Sequence, residues 1–102
     1  MAETTYRRQD ALLNVAYGGR LDSATSPALE KELREHLEGI RNVVMDFSSV
    51  EYVSSGGIRM LLAIEQLLDK RGGRLSLTHV NEYVLEVFEL VGFMDVVEVI
   101  RG

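Results

Sequence analysis

The chain has 102 residues, 46% of them hydrophobic and 26% charged, which indicates one soluble globular domain over residues 1–102. Its 16 acidic residues outnumber its 11 lysines and arginines, and the net charge of -5 argues against a nucleic-acid partner. There is no cysteine and no apolar run near the roughly 20 residues that span a bilayer, and we expect no signal peptide, because no apolar segment follows Arg7 and Arg8. We therefore expect a cytoplasmic protein with no disulfide and no direct membrane insertion.

The chain begins with two predicted strands. Alternating side chains predict a strand over 4–9 and a second over 12–17, which places Leu13, Val15 and Tyr17 on one face. The short connection between them predicts an antiparallel hairpin.

A glycine-rich turn over 18–23 leads into a predicted amphipathic helix over 28–40. Asp22 and Ser23 could each cap this helix, because their side-chain oxygens can accept hydrogen bonds from free backbone N–H groups. Pro27 suits the first turn of the helix. Helix capping and partner binding both remain open as roles for Asp22.

The centre of the chain is a predicted strand over 41–47 followed by a predicted helix over 57–70. The apolar run Val43-Val44-Met45 predicts a strand that is covered on both faces. Between strand and helix lies Ser54-Ser55-Gly56-Gly57. A serine here can cap free N–H groups of the helix, and the same groups and the helix dipole would tolerate a phosphate. Capping alone is the commoner role of such a serine, so both remain open.

Helical spacing divides the side chains of the second helix into two arcs. The apolar arc, expected in the core, contains Met60, Leu61, Ala63, Ile64, Leu67 and Leu68. The polar arc, expected in solvent, contains Arg59, Glu65, Gln66, Asp69 and Lys70. Ile58 and Leu62 lie one turn apart inside the polar arc, on the strip where Ser55 and Arg59 project. This strip predicts a docking surface that a phosphate would disturb, unless another helix covers Ile58 and Leu62.

The rest of the chain predicts a strand over 74–80, a helix over 82–91 capped by Asn81, and a short strand over 96–100. The order ββαβαβα(β) predicts an α/β fold. Its mixed sheet has four to five strands, and its three helices lie on one side of that sheet.

Residues 43–47 and 52–59 together resemble the core signature of the STAS domain, and most closely the bacterial anti-sigma factor antagonists. Gly19-x-Leu21-Asp22 matches the Gly-x-Leu-Asp turn of that family. Many members carry Asp-Ser-Ser-Gly-Leu, so Ser54 stands where they have Asp and Gly56 where they have the second Ser.

The resemblance implies that the regulatory phosphoserine falls on Ser55. By this resemblance, the unphosphorylated protein binds an anti-sigma factor with serine kinase activity and thereby frees a sigma factor. Phosphorylation of Ser55 releases the partner. A PP2C-type phosphatase then removes the phosphate and resets the switch. The implied contact residues are Asp22, Ser23, Ser54, Ser55, Gly56, Gly57, Ile58, Arg59 and Leu62.

Two other functions fit the same residues: a non-switching STAS scaffold subunit of a signalling complex, and a STAS accessory subunit of a lipid ABC transporter.

We predict that the protein is not an enzyme. A serine nucleophile needs a nearby base, and neither histidine of the chain, His36 or His79, is placed by sequence to meet Ser55. A Gly-x-Ser-x-Gly elbow and a phosphate-binding loop are absent from the sequence, and no metal or cofactor is predicted.

Overall fold

The computed structural model describes residues 4–101, and this part of the chain contains five strands and three α-helices. In chain order they are β1 (Thr4–Gln9), β2 (Leu12–Leu21), α1 (Ser26–Glu35), β3 (Asn42–Val53), α2 (Ser55–Asp69), β4 (Leu75–Val80), α3 (Glu82–Leu90), a 3-10 turn (Phe93–Asp95) and β5 (Glu98–Arg101). The predicted element order is confirmed.

The five strands form one sheet in the spatial order β1-β2-β3-β4-β5. β1 pairs with β2 antiparallel, and β2, β3, β4 and β5 pair parallel to one another. Each helix links two neighbouring parallel strands, and each crossover steps across the sheet in the same direction. Because such crossovers are right-handed, all three helices lie on one face of the sheet, as predicted.

The core lies between the sheet and the helices. Side chains on the covered face of the sheet are buried, and six of them are at most 1% exposed: Leu13, Val15, Met45, Phe47, Leu75 and Leu77. The other face is open: Asn14, Val44 and Asp46 are half-buried there, and Ala16 is exposed. The prediction that the strand at 43–45 is covered on both faces is therefore wrong for Val44, because the helices pack on the other side.

Strands β2 and β3 run further than the sequence predicts. β2 continues to Leu21 and β3 to Val53, and these two residues are register partners. The register shifts between Ala16 and Gly18, and Gly19 has a φ of 107°, a conformation that glycine adopts without steric cost. The glycines at 18 and 19 suggest a turn, but pairing between the two strands continues the sheet.

Helix α1 starts two residues earlier and ends five residues earlier than predicted. Pro27 lies in its first turn, as predicted. At the other end, the N–H of His36 donates to the oxygen of Leu33, a bond that tightens the last turn. The chain then bends away from the helix axis, yet Leu37 and Ile40 remain buried at 1% exposure, because the segment after the helix still packs on the core.

Glu65 of α2, which the sequence predicts in solvent, is buried at 9% exposure. Its Oε1 accepts a hydrogen bond of 2.9 Å from the N–H of Leu75, the first residue of β4. A buried N–H without a partner is costly, so the carboxylate satisfies a backbone group that the start of the strand would leave free. Helical periodicity does not reveal this contact, because the donor lies on another element.

Replacing Glu65 by alanine is therefore expected to lower the free energy of unfolding by about 1–2 kcal/mol, through loss of the bond to the Leu75 N–H. Urea unfolding followed by circular dichroism measures the change. Glu65→Gln keeps a side-chain oxygen acceptor and should recover most of the loss. Equal stability of Glu65→Ala and wild type would contradict a stabilising role for this bond.

Candidate functional site

The ends of β2 and β3 place two predicted site segments side by side. Leu21 pairs with Val53, and the N–H of Ser54 donates to the oxygen of Leu21 at 3.0 Å. The turn that begins at Asp22 and the turn that carries Ser55 therefore lie together at the carboxyl-terminal edge of the parallel strands. In open α/β sheets, ligands commonly bind at the carboxyl ends of the strands.

Ser55 is the first residue of α2 and is exposed. The predicted helix start at Gly57 is two residues late, because the N–H of Ile58 already donates to the oxygen of Ser54 at 3.0 Å. Ser54 occupies the N-cap position in an extended conformation, and its side chain makes no capping hydrogen bond. The capping role is thus not found for Ser54, and the hydroxyl of Ser55 is left open to solvent.

The two glycines allow α2 to begin in close contact with β2 and the Asp22 turn. A Cβ atom on Gly56 would lie 2.7 Å from the Cα atom of Ser23, and one on Gly57 would lie 2.6 Å from the oxygen of Leu21. Real Cβ atoms essentially never approach other atoms within 3.0 Å. Gly57 is buried. Its predicted role as a partner contact is corrected to one of close packing beneath the site.

Asp22 holds the first turn in shape. Its Oδ1 accepts hydrogen bonds from the N–H groups of Ala24 and Thr25 at 2.9 and 3.0 Å, and its Oδ2 lies 3.3 Å from Nε of Arg20. The N-cap residue of α1 is Thr25, and the N–H groups that Asp22 binds lie before the helix. Asp22 therefore stabilises the turn and is not the N-cap residue that the sequence suggested. The hydrogen bond from Thr25 is the main reason why the pKa of Asp22 lies below its ordinary value, and Ala24 and Arg20 also lower it.

Because the pKa of Asp22 is lowered in the folded state, its carboxylate should stabilise the turn above its ordinary pKa and lose this effect as the pH falls through the lowered pKa. We expect NMR to show Asp22 titrating below the usual aspartate range, with the amide shifts of Ala24 and Thr25 following the same curve. In Asp22→Asn, which keeps an oxygen acceptor, these amide shifts should no longer move over that range. Titration of wild-type Asp22 at or above the ordinary value would refute this description of the turn.

The outward strip of α2 is narrower than predicted. Ser55 and Arg59 are exposed and Leu62 is half-buried, but Ile58 is 9% exposed and belongs to the core. The prediction of an exposed Ile58 is wrong. Ile58 lies two turns before Glu65 on the same side of the helix, and Glu65 contacts β4, so this side of α2 faces the sheet.

The predicted residues that remain accessible form one continuous area, called the Ser55 surface below. Its members are Asp22, Ser23, Ser54, Ser55, Gly56, Arg59 and Leu62, all of which are exposed or half-buried.

Three side chains beside the Ser55 surface were not singled out from the sequence. The guanidinium of Arg20 lies over the ring of Tyr52, 4.4 Å from its centroid, and the rings of Tyr52 and Tyr83 stack with centroids 6.4 Å apart. Tyr83 is 54% exposed. An exposed tyrosine near the start of a helix was the only sequence signal, because Arg20, Tyr52 and Tyr83 come from three different elements. Tyrosine and arginine are enriched among residues that dominate binding energies at protein interfaces.

The histidines lie in other surroundings. The ring of His36 stacks on Tyr6 with centroids 3.9 Å apart, and Nδ1 of His79 lies 3.4 Å from Oδ1 of Asp46. Within residues 4–101, no group of three or more His, Asp or Glu side chains is placed to hold a metal ion. In the same part of the chain, no helix is long and apolar enough to cross a membrane.

Residues 4–99 match the family model described as "Mlab, STAS domain". The chain is 34% identical over 93 residues to BtrV of Bordetella bronchiseptica, assigned as an anti-sigma factor antagonist; the match covers 90% of this chain and 80% of BtrV. It is 30% identical over 101 residues to the anti-sigma-B factor antagonist of Staphylococcus aureus, covering 98% of this chain and 92% of that protein. A crystal structure of an anti-sigma factor antagonist from Mycobacterium paratuberculosis superposes with a TM-score of 0.87 at 23% identity, over 100% of this chain and 87% of the other.

Proposed function

Because the chain belongs to the STAS domain family, we propose that it is an anti-sigma factor antagonist that phosphorylation of Ser55 switches off. In the unphosphorylated state it binds an anti-sigma factor through the Ser55 surface and thereby frees a sigma factor. The partner carries serine kinase activity and phosphorylates Ser55, and a PP2C-type phosphatase removes the phosphate. All of these steps take place in the cytoplasm.

The observation that carries this proposal is the position of Ser55. It is an exposed hydroxyl on the first residue of a helix, beside the Asp22 turn, on a surface that includes an arginine and a half-buried leucine. Relatives in Bordetella bronchiseptica and Staphylococcus aureus, 34% and 30% identical to this chain, are assigned as anti-sigma factor antagonists, which supports the choice of partner class.

A phosphate on Ser55 acts locally. It adds between one and two negative charges at neutral pH and needs solvation that a closely packed partner would remove. The same phosphate lies at the amino-terminal end of the α2 dipole, which favours negative charge, so the fold of the chain tolerates it. Partner binding is therefore lost while the domain stays folded.

The chain acts by binding and has no catalytic activity of its own. A serine nucleophile requires a base in hydrogen-bond reach, and the two histidines contact Tyr6 and Asp46 on other parts of the fold. Hydrolysis of acyl or phosphate esters by the purified chain, abolished in Ser55→Ala, would contradict this part of the proposal.

A paired capture experiment from the source organism tests the function, with wild type and Ser55→Asp as baits. We expect wild type to retain a protein that mass spectrometry identifies as an anti-sigma factor with a kinase domain, and Ser55→Asp to lose it. Retention of the same large complex by both baits would refute the switch and support the scaffold function. Retention of a transporter ATPase would support the accessory-subunit function instead.

A further inference from the structure

Helices α1 and α2 pack side by side and leave a groove that opens beside Ser55. The groove has a volume of about 390 Å³ and a mainly apolar wall. Pro27 of α1 and Gly56, Met60 and Ala63 of α2 line it. Gly56 also belongs to the Ser55 surface, so the groove continues this surface between the two helices.

One charge at the groove has no counter-ion among residues 4–101. Glu30 and Arg59 both line the groove, but Oε2 of Glu30 lies 2.8 Å from Nη2 of Arg34 and is already paired. Arg59 is exposed and makes no ion pair with any residue between 4 and 101. An apolar groove beside an unpaired cation complements an apolar side chain that is followed or preceded by a carboxylate.

We propose that the anti-sigma factor inserts an apolar side chain into this groove and pairs a neighbouring carboxylate with Arg59. The inference rests on the proposed function and adds how the partner is recognised and released. Ser55 and Arg59 are four residues apart, so their side chains lie on the same face of α2 one turn from each other. A phosphate on Ser55 competes with the partner's carboxylate for Arg59 and repels that carboxylate. One phosphate thus removes an attraction and adds a repulsion.

The test uses the anti-sigma factor identified with the wild-type bait, purified, and measures its affinity for variants by calorimetry. Ala63→Trp fills the groove and is expected to weaken binding at least about 10-fold. Ala16→Trp adds the same side chain on the open face of the sheet and should bind like wild type, since Ala16 is exposed far from the groove in the fold. Thermal unfolding of both variants checks that the fold is retained.

Arg59→Gln removes the cation without adding bulk, so it tests the proposed ion pair with the partner even if Ala63→Trp does not fold. We expect it to weaken binding about 5- to 10-fold. Ser55→Asp should reduce affinity by a certain factor in wild type. If Arg59 and the charge at Ser55 act on the same carboxylate, that factor should be at least about fivefold smaller in the Arg59→Gln background.

The outcomes separate the inference from the function on which it rests. Wild-type affinity in both Ala63→Trp and Arg59→Gln, combined with loss of binding in Ser55→Asp, would overturn the groove and leave the switch standing. No binding by wild type would refute the proposed function itself. Analytical ultracentrifugation of wild type and Ala63→Trp covers a third case. If wild type is a dimer, Ala63→Trp is a monomer and partner binding is unchanged, the groove binds a second copy of the chain and the inference is overturned.

Discussion

Ser55→Asp is expected to weaken binding of the anti-sigma factor by about 30- to 150-fold, which corresponds to about 2–3 kcal/mol of lost binding energy. The carboxylate imitates part of the charge of a phosphate and stands at an exposed position of α2, where a partner would have to desolvate it. Isothermal titration calorimetry with the purified partner measures the change. Authentic phosphoserine carries more charge and should weaken binding at least as much.

Gln66→Glu is the matched control for this variant. It adds one negative charge to the same exposed face of α2, eleven residues and about 16 Å further along the helix. Because the Ser55 surface does not reach this position, Gln66→Glu should bind within about twofold of wild type. If both variants weaken binding equally, the effect is one of overall charge and Ser55 is not the switch.

Gly57→Ala is expected to destabilise the protein by about 2–3 kcal/mol, although alanine is normally the better residue in a helix. Helix propensity alone would favour alanine by about 1 kcal/mol. Here the added methyl group would lie 2.6 Å from the oxygen of Leu21 and 2.8 Å from its Cγ, so α2 would have to move away from β2. Urea unfolding measures the free-energy change, whose sign distinguishes the two effects.

Ser55→Ala serves as the control for Gly57→Ala, because it places an alanine two residues earlier at an exposed position. Its stability should lie within about 0.5 kcal/mol of wild type. A Gly57→Ala variant as stable as wild type, or more stable, would show that α2 does not depend on this close approach to β2.

The sequence predicts the order of elements because each helix and strand has a clear local signal. Its errors occur where a contact between distant elements decides the structure. The sequence predicts a turn at Gly18 and an end of the central strand at residue 47, yet Gly18 and Ser49 pair with each other and extend β2 and β3. Glu65 has the polarity of a surface residue, yet it binds the N–H that begins β4. Local sequence patterns cannot reveal either contact, because the partner lies elsewhere in the chain.

The candidate site was likewise predicted only in part. The motif around Ser55 and the Asp22 turn were identified from short stretches of sequence, and the structure places these two segments side by side. The stacked side chains of Tyr52 and Tyr83 and the groove between α1 and α2 could not be predicted from the sequence, because residues of different elements form them. The sequence places Ile58 wrongly, because the arc of α2 that faces the core is wider than the predicted apolar arc and also includes Ile58 and Glu65.

The central claim is that the unphosphorylated chain frees a sigma factor and the phosphorylated chain does not. The most direct measurement titrates each form into a preformed complex of the anti-sigma factor with its sigma factor and records the fraction of sigma factor released. We expect release by the unphosphorylated chain in proportion to its concentration, and little release at the same concentrations by the chain phosphorylated on Ser55. Equal release by both forms, or release by neither, would contradict the account.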